Sequence, residues 1–103
     1  GAKAAVAEFY SSNNRLPQAN SSVGLAAATA ITGNAVTSVG VGTVDGGTGA
    51  ANGQITIVYN GKIDGTNNRL MLSPITSVGG VRWTCKVPSS AGIDTKFVPT
   101  NCR

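Results

Sequence analysis

The sequence contains no histidine, and that absence removes several chemistries at once. A Ser-His-Asp triad has no base, a cysteine nucleophile has no imidazole partner, and the usual Cys/His zinc sites cannot be assembled from one chain. Charge is scarce, at 12% of residues, and aromatic residues make up only 5%. The four acids, Glu8, Asp45, Asp64 and Asp94, fall on different segments. No pair of them is singled out for glycosidase-type acid–base work. Neither Asp45 nor Asp64 sits in a loop with the ligand density of a calcium site, so turn chemistry explains both better. No phosphate-binding GxxxxGK[ST] run occurs, and the Gly-rich stretch 40–53 reads as turns and bulges. No apolar run approaches the roughly 18 residues needed to span a bilayer, and no signal peptide is recognisable. The expectation is a non-enzymatic protein with no metal and no cofactor.

What is present is a chain of 103 residues with 14 glycines, enough for one small domain. Its many short side chains predict a thin core that needs a staple. Cys85 and Cys102 are the only cysteines, they form no CxxC, and they flank a polar segment. A disulfide between them is expected, and with it an oxidising, extracytoplasmic compartment. Closing a loop of about 15–20 residues contributes about 3 kcal/mol in the chain-entropy account. The net charge of +4 comes from Lys3, Arg15, Lys62, Arg69, Arg82, Lys86, Lys96 and Arg103. These are scattered and read as solvated surface charge, with weak affinity for nucleic acid or anionic glycans as the alternative.

Residues 2–12 read as a helix, because Ala2, Val6, Phe9 and Tyr10 form one apolar stripe in an alanine-rich run. Eleven residues are marginal for a helix standing alone. The segment therefore reads as the end of a longer helix whose native N-terminus is missing, with Gly1 equally explicable as a cloning remnant. Asn13-Asn14 and Pro17 stop it. Residues 13–37 read as a long surface connection in which Gly24–Ile31 could form a short helix, and Asn20-Ser21-Ser22 matches an N-glycosylation acceptor. Four strands are predicted after it: Thr37–Val44, Gln54–Tyr59, Arg69–Ser73 ending before Pro74, and Val81–Val87. Ile55, Ile57 and Tyr59 share a face, as do Leu70 and Leu72. Val81, Trp83, Cys85 and Val87 point inward, with Arg82, Thr84 and Lys86 outward. Phe9, Ile57, Leu70 and Trp83 are the expected core anchors, and Phe97-Val98 is expected to tuck the C-terminal segment back onto the sheet. The fold class is α+β: a helix end on one face of a four-stranded antiparallel sheet, followed by a C-terminal disulfide-bounded loop.

At this point the two ends of the chain resemble a family. Residues 5–17, AVAEFYSSNNRLP, are similar to the segment where the long N-terminal helix of a bacterial type IV pilin finishes. Residues 83–103, WTCKVPSSAGIDTKFVPTNCR, resemble the disulfide-bounded region of the type IVa kind. There a Trp-x-Cys opens the loop and Phe-x-Pro-x-x-Cys with a basic residue closes it. The middle of the chain matches by pattern alone. The resemblance implies one pilin head domain over 1–103: helix end 1–12, connection 13–37, sheet 38–87 and disulfide loop 85–102.

The resemblance further implies a structural subunit of a retractile surface filament used in twitching motility, adhesion, biofilm formation and DNA uptake. In that family a methylated, apolar helical half anchors the subunit in the inner membrane and then forms the filament core. Partners would be other pilin subunits and the assembly machinery, and beyond them host glycans, abiotic surfaces or DNA. A form without the apolar half is expected to be monomeric. By the same resemblance the loop residues Lys86, Ser89, Ser90, Asp94, Thr95, Lys96, Thr100 and Asn101 form a recognition surface. The competing reading is a minor pilin or a type II secretion pseudopilin.

Overall fold

The computed structural model describes residues 1–103. Its first element, α1 (Ala2–Asn13), ends on Asn14, which takes the left-handed conformation (φ 55°) and donates its N–H to the Tyr10 carbonyl at 2.8 Å. Asparagine tolerates that conformation better than other side-chain-bearing residues do. Asn13 adds an Nδ2–H bond to the Phe9 carbonyl at 3.0 Å. Of the expected stripe, Val6 is fully enclosed and packs on Val41 and Ile55, with Ala2 beside them. Phe9 departs from the expectation. It is half-buried, lies in neither core cluster, and carries the Arg15 guanidinium over its ring at 5.0 Å. It faces Ser22 and Val23 of the following connection rather than the sheet.

That connection is not simply a surface loop. It contains two single 3₁₀ turns, Ser21–Val23 and Ala28–Ala30, in place of the suggested helix over Gly24–Ile31. Leu16 and Leu25 pack on the α1-side core, Pro17 is buried, and Asn20 is 1% exposed. Asn20 Nδ2 donates to the carbonyls of Ala26 (3.0 Å) and Val39 (2.9 Å), and its Oδ1 accepts from the Val41 amide (2.7 Å). Its own amide donates to Asp45 Oδ2 at 2.8 Å. Every polar atom of this side chain is engaged, so the glycosylation pattern at Asn20 has no free amide in the folded chain. One buried carboxamide instead ties the connection to the first strand, as a buried polar group must be satisfied to be tolerated.

The four strands β1 (Val36–Val41), β2 (Ile55–Tyr59), β3 (Arg69–Ser77) and β4 (Gly80–Lys86) pair antiparallel in chain order. β1 stops earlier than expected. At Gly42 the chain turns into a single helical turn, α2 (Gly42–Asp45), and Val44 is 67% exposed. Gly42 has φ +73°, and a Cβ there would strike the backbone of Gln18, so only glycine permits the close approach. β3 runs on through Pro74 to Ser77, instead of ending at Ser73. The reason is that β2 begins only at Ile55, opposite Leu72, whereas β4 pairs with β3 as far as Ser77. Beyond Leu72 β3 is therefore an edge on the β2 side, where proline is accommodated.

Register divides the side chains cleanly. Val39, Val41, Ile55, Ile57, Leu70, Leu72, Trp83 and Cys85 share the face toward α1, while Thr56, Met71 and Lys86 align in one row across the opposite face. The α1-side face carries two neighbouring cores. One is Val6, Val41 and Ile55, with Leu72, Ile57 and Trp83 packed around it. The other is Leu70, Ile93, Val98 and Cys102, with Tyr59, Ile63, Cys85 and Val87 around it.

The second core is roofed by the C-terminal segment. Cys85 and Cys102 are disulfide-bonded, with Cα atoms 4.6 Å apart, inside the span such bonds require. The Ala91 carbonyl accepts from the amides of Asn68 (3.0 Å) and Arg69 (2.9 Å), and the Ile93 amide donates to the Arg69 carbonyl at 2.9 Å. Two 3₁₀ turns, Thr95–Phe97 and Thr100–Cys102, complete the segment. Val98 is buried, but Phe97 is 46% exposed and lies beneath Lys96, whose Nζ is 5.1 Å from the ring centre. The expected tuck thus belongs to Val98 and to Ile93, with Phe97 outside.

Candidate functional site

The residues expected to form a recognition surface are all exposed: Lys86, Ser89, Ser90, Asp94, Thr95, Lys96, Thr100 and Asn101. They do not form one patch of equivalent groups. Asp94 caps the 3₁₀ turn at Thr95–Phe97, with Oδ1 accepting from the Lys96 amide at 3.0 Å, and the Thr95 carbonyl accepts from Arg103 Nε at 3.1 Å. Part of this polar loop surface therefore serves the loop's own conformation. Of the expected core anchors, Leu70 is buried, whereas Ile57 and Trp83 are half-buried flanks of the α1-side core.

Beside the loop lies the turn region between β2 and β3. Asp64 Oδ1 accepts from the amides of Thr66 (2.8 Å) and Asn67 (3.0 Å). Those backbone bonds hold its carboxyl below the ordinary value of 3.8, with a smaller contribution from the charge of Lys96. Asn60 braces the same loop, donating to the Asn34 carbonyl at 3.0 Å and accepting from the Lys62 amide at 3.0 Å. The dipeptides Asn60-Gly61 and Asp64-Gly65 thus each carry a side chain that organises the backbone of its own turn.

The remaining expected loop residues, Lys86, Ser89 and Ser90, separate from the others and turn to the sheet face opposite α1. There they meet Arg69, Thr56, Met71, Gln54 and the glycine loop at Gly46 and Gly49 around a cleft of about 300 Å³. No carboxylate lines it. Arg69 and Thr56 carry no motif. Their proximity to Lys86 follows only from the strand register, which brings Thr56 opposite Met71 and Met71 opposite Lys86.

No three of the cysteine, aspartate and glutamate side chains come together as a group able to hold a metal ion. No helix is long and apolar enough to cross a membrane. The family model described as pilin (bacterial filament) matches residues 1–103, the whole length of the chain. No curated protein matches it.

Proposed function

Because the chain belongs to the pilin family, whose members assemble with one another into extracellular bacterial filaments, we propose that it is the major subunit of a type IVa pilus. A helix on a four-stranded antiparallel sheet with a C-terminal disulfide is the pilin fold, and the family's role is structural. The observation that supports the type IVa reading best is the C-terminal roof. Its disulfide and its bridge to Arg69 leave the polar edge exposed while Ile93, Val98 and Cys102 are sealed beneath. A filament subunit needs a surface that stays ordered while in contact with neighbours and solvent, and covalent closure provides that order without a large core.

On this reading a form carrying the family's methylated apolar helix is held in the inner membrane and handed to the assembly machinery. The filament then serves twitching motility, biofilm formation and DNA uptake. The exposed loop from Lys86 to Asn101 is the surface that adheres to host glycans or abiotic material. Full-length protein made in an assembly-competent bacterium deleted for its own pilin is expected as the principal component of sheared filaments. Filaments that contain it only as a trace would favour a minor pilin, and its absence from them would overturn the assignment. Replacing the exposed residues Ser89, Ser90, Thr95, Lys96, Thr100 and Asn101 with alanine, with Ile93 and Val98 left in place, is expected to preserve filaments and abolish adhesion. Unchanged adhesion would remove the loop's role.

A further inference from the structure

The cleft on the sheet face turned away from α1 has a composition that packing alone does not explain. Thr56 is 2% exposed, and its Oγ1 is the one buried side-chain polar atom without a hydrogen-bond partner. Leaving a buried hydroxyl unpaired costs about 1–3 kcal/mol, and valine would fill the same volume without that cost. Thr56 belongs to the wall of a cleft that Arg69 and Lys86 also line, with Ser89 and Ser90 beside them and no acid opposing them, and its hydroxyl lies just beneath that wall, next to Gly46. Gln54, the other polar residue of the floor, is already engaged. Its Nε2 donates to Ser73 Oγ at 3.0 Å, and its Oε1 accepts from the Ala51 amide at 2.8 Å. The groups left over are therefore hydroxyls, a guanidinium and an ammonium.

The guanidinium lies against the glycine loop at the lip of the cleft. Gly47 has φ +86°, and a Cβ at that position would collide with Arg69 Nη1. At its base Arg69 is fixed from the other direction, because its amide and carbonyl are both bonded to the disulfide loop, at Ala91 and Ile93. A planar guanidinium on a backbone fixed by the disulfide loop, beside an ammonium and several hydroxyls, suits an anion with oxygens pointing in several directions.

We infer that this cleft binds the phosphate or sulfate ester of a sugar-sized ligand, with Arg69 and Lys86 carrying the charge recognition and the Thr56 hydroxyl completing it. Its volume lies at the lower end of small-ligand sites. The site shares Lys86, Ser89 and Ser90 with the proposed adhesive loop. It does not depend on filament assembly, so its test uses the 103-residue chain itself.

The test is a titration of ¹⁵N-labelled protein with inorganic phosphate, glucose 6-phosphate, galactose 6-sulfate and neutral glucose, followed by amide shifts. Saturable shifts at Thr56, Arg69, Lys86 and Ser90 are expected with the charged probes at about millimolar concentration, and none with glucose. The stronger of the two sugar esters identifies the source of the anion. Lys86→Gln and Arg69→Gln are each expected to weaken binding about tenfold. Thr56→Val is the decisive variant, expected to weaken binding while raising the thermal midpoint, a pairing that a purely structural threonine does not give. Linear, non-saturating shifts spread over Lys62, Arg82 and Lys96 would overturn the site, as would full binding by Lys86→Gln. Tighter binding of a short DNA duplex with shifts at those same scattered residues would also overturn it, in favour of a diffuse nucleic-acid surface.

Discussion

The two cores on the α1-side face of the sheet are roofed in different ways. Val6, Val41 and Ile55 lie under α1, whose backbone bonds are internal and whose cover is continued by the Asn20 clamp. Leu70, Ile93 and Val98 lie under a segment with only two 3₁₀ turns, joined to the sheet by the Ala91 and Ile93 backbone bonds and the Cys85–Cys102 disulfide. A helix arrives at its packing site with its own hydrogen bonds made, whereas an irregular segment must have its ends fixed before it can bury anything. In this small domain the first roof is held by packing and the second by a covalent bond.

The comparison breaks most visibly if the covalent roof is removed. The double substitution Cys85→Ser with Cys102→Ser is expected to cost about 3 kcal/mol, read as a lowered denaturant midpoint. A loss below about 0.5 kcal/mol would mean that the second core holds without its bond. Next in size, Asn20→Ala strips the Val41 amide and two carbonyls of their partner. About 2 kcal/mol is expected from equilibrium unfolding, and an unchanged midpoint would show that water replaces the carboxamide. Val6→Ala opens a hole beneath α1 and is expected to cost about 1.5 kcal/mol, with the fluorescence of nearby Trp83 reporting the change.

The smallest effect sharpens the contrast at the rim of the disulfide side. Asp64 has its carboxyl lowered below 3.8 in the folded chain by the amides of Thr66 and Asn67. Its contribution to stability is therefore complete above that value and is lost as pH falls through the lower folded value. Asp64→Asn is expected to flatten the acid limb of the stability profile slightly while leaving stability near neutrality little changed. A profile of unchanged slope would assign the acid limb to another carboxylate.

How much of this was legible in the sequence depends on what fixed each feature. The alternation of Val81, Trp83 and Cys85 with Arg82, Thr84 and Lys86 is periodic, and β4 follows it. The helix stop at Asn13-Asn14 is local chemistry and was equally plain. Pro74 misled because its tolerance depends on where β2 begins, which is a property of a neighbouring strand. Val44 misled because Gly42 turns the chain at a place set by Gln18, far away in sequence. Phe97 and Phe9 look like core residues, yet cations cover their rings, and smaller residues, Ile93 and Val98 among them, take the interior. Asn20 resembled a surface acceptor site, and only the approach of Val39 and Val41 reveals it as a clamp. The cleft was the least legible feature of all, since Thr56, Arg69 and Lys86 become neighbours only through strand register.

The most direct test of the two-roof account is amide hydrogen exchange on the oxidised protein and on the same protein reduced and alkylated at Cys85 and Cys102. The account predicts that Asn68, Arg69, Ile93 and Cys102 lose most of their protection on reduction, while the amides of α1, of Val41 and of Ile55 retain theirs. Equal loss in both groups, or none in the first, would contradict it.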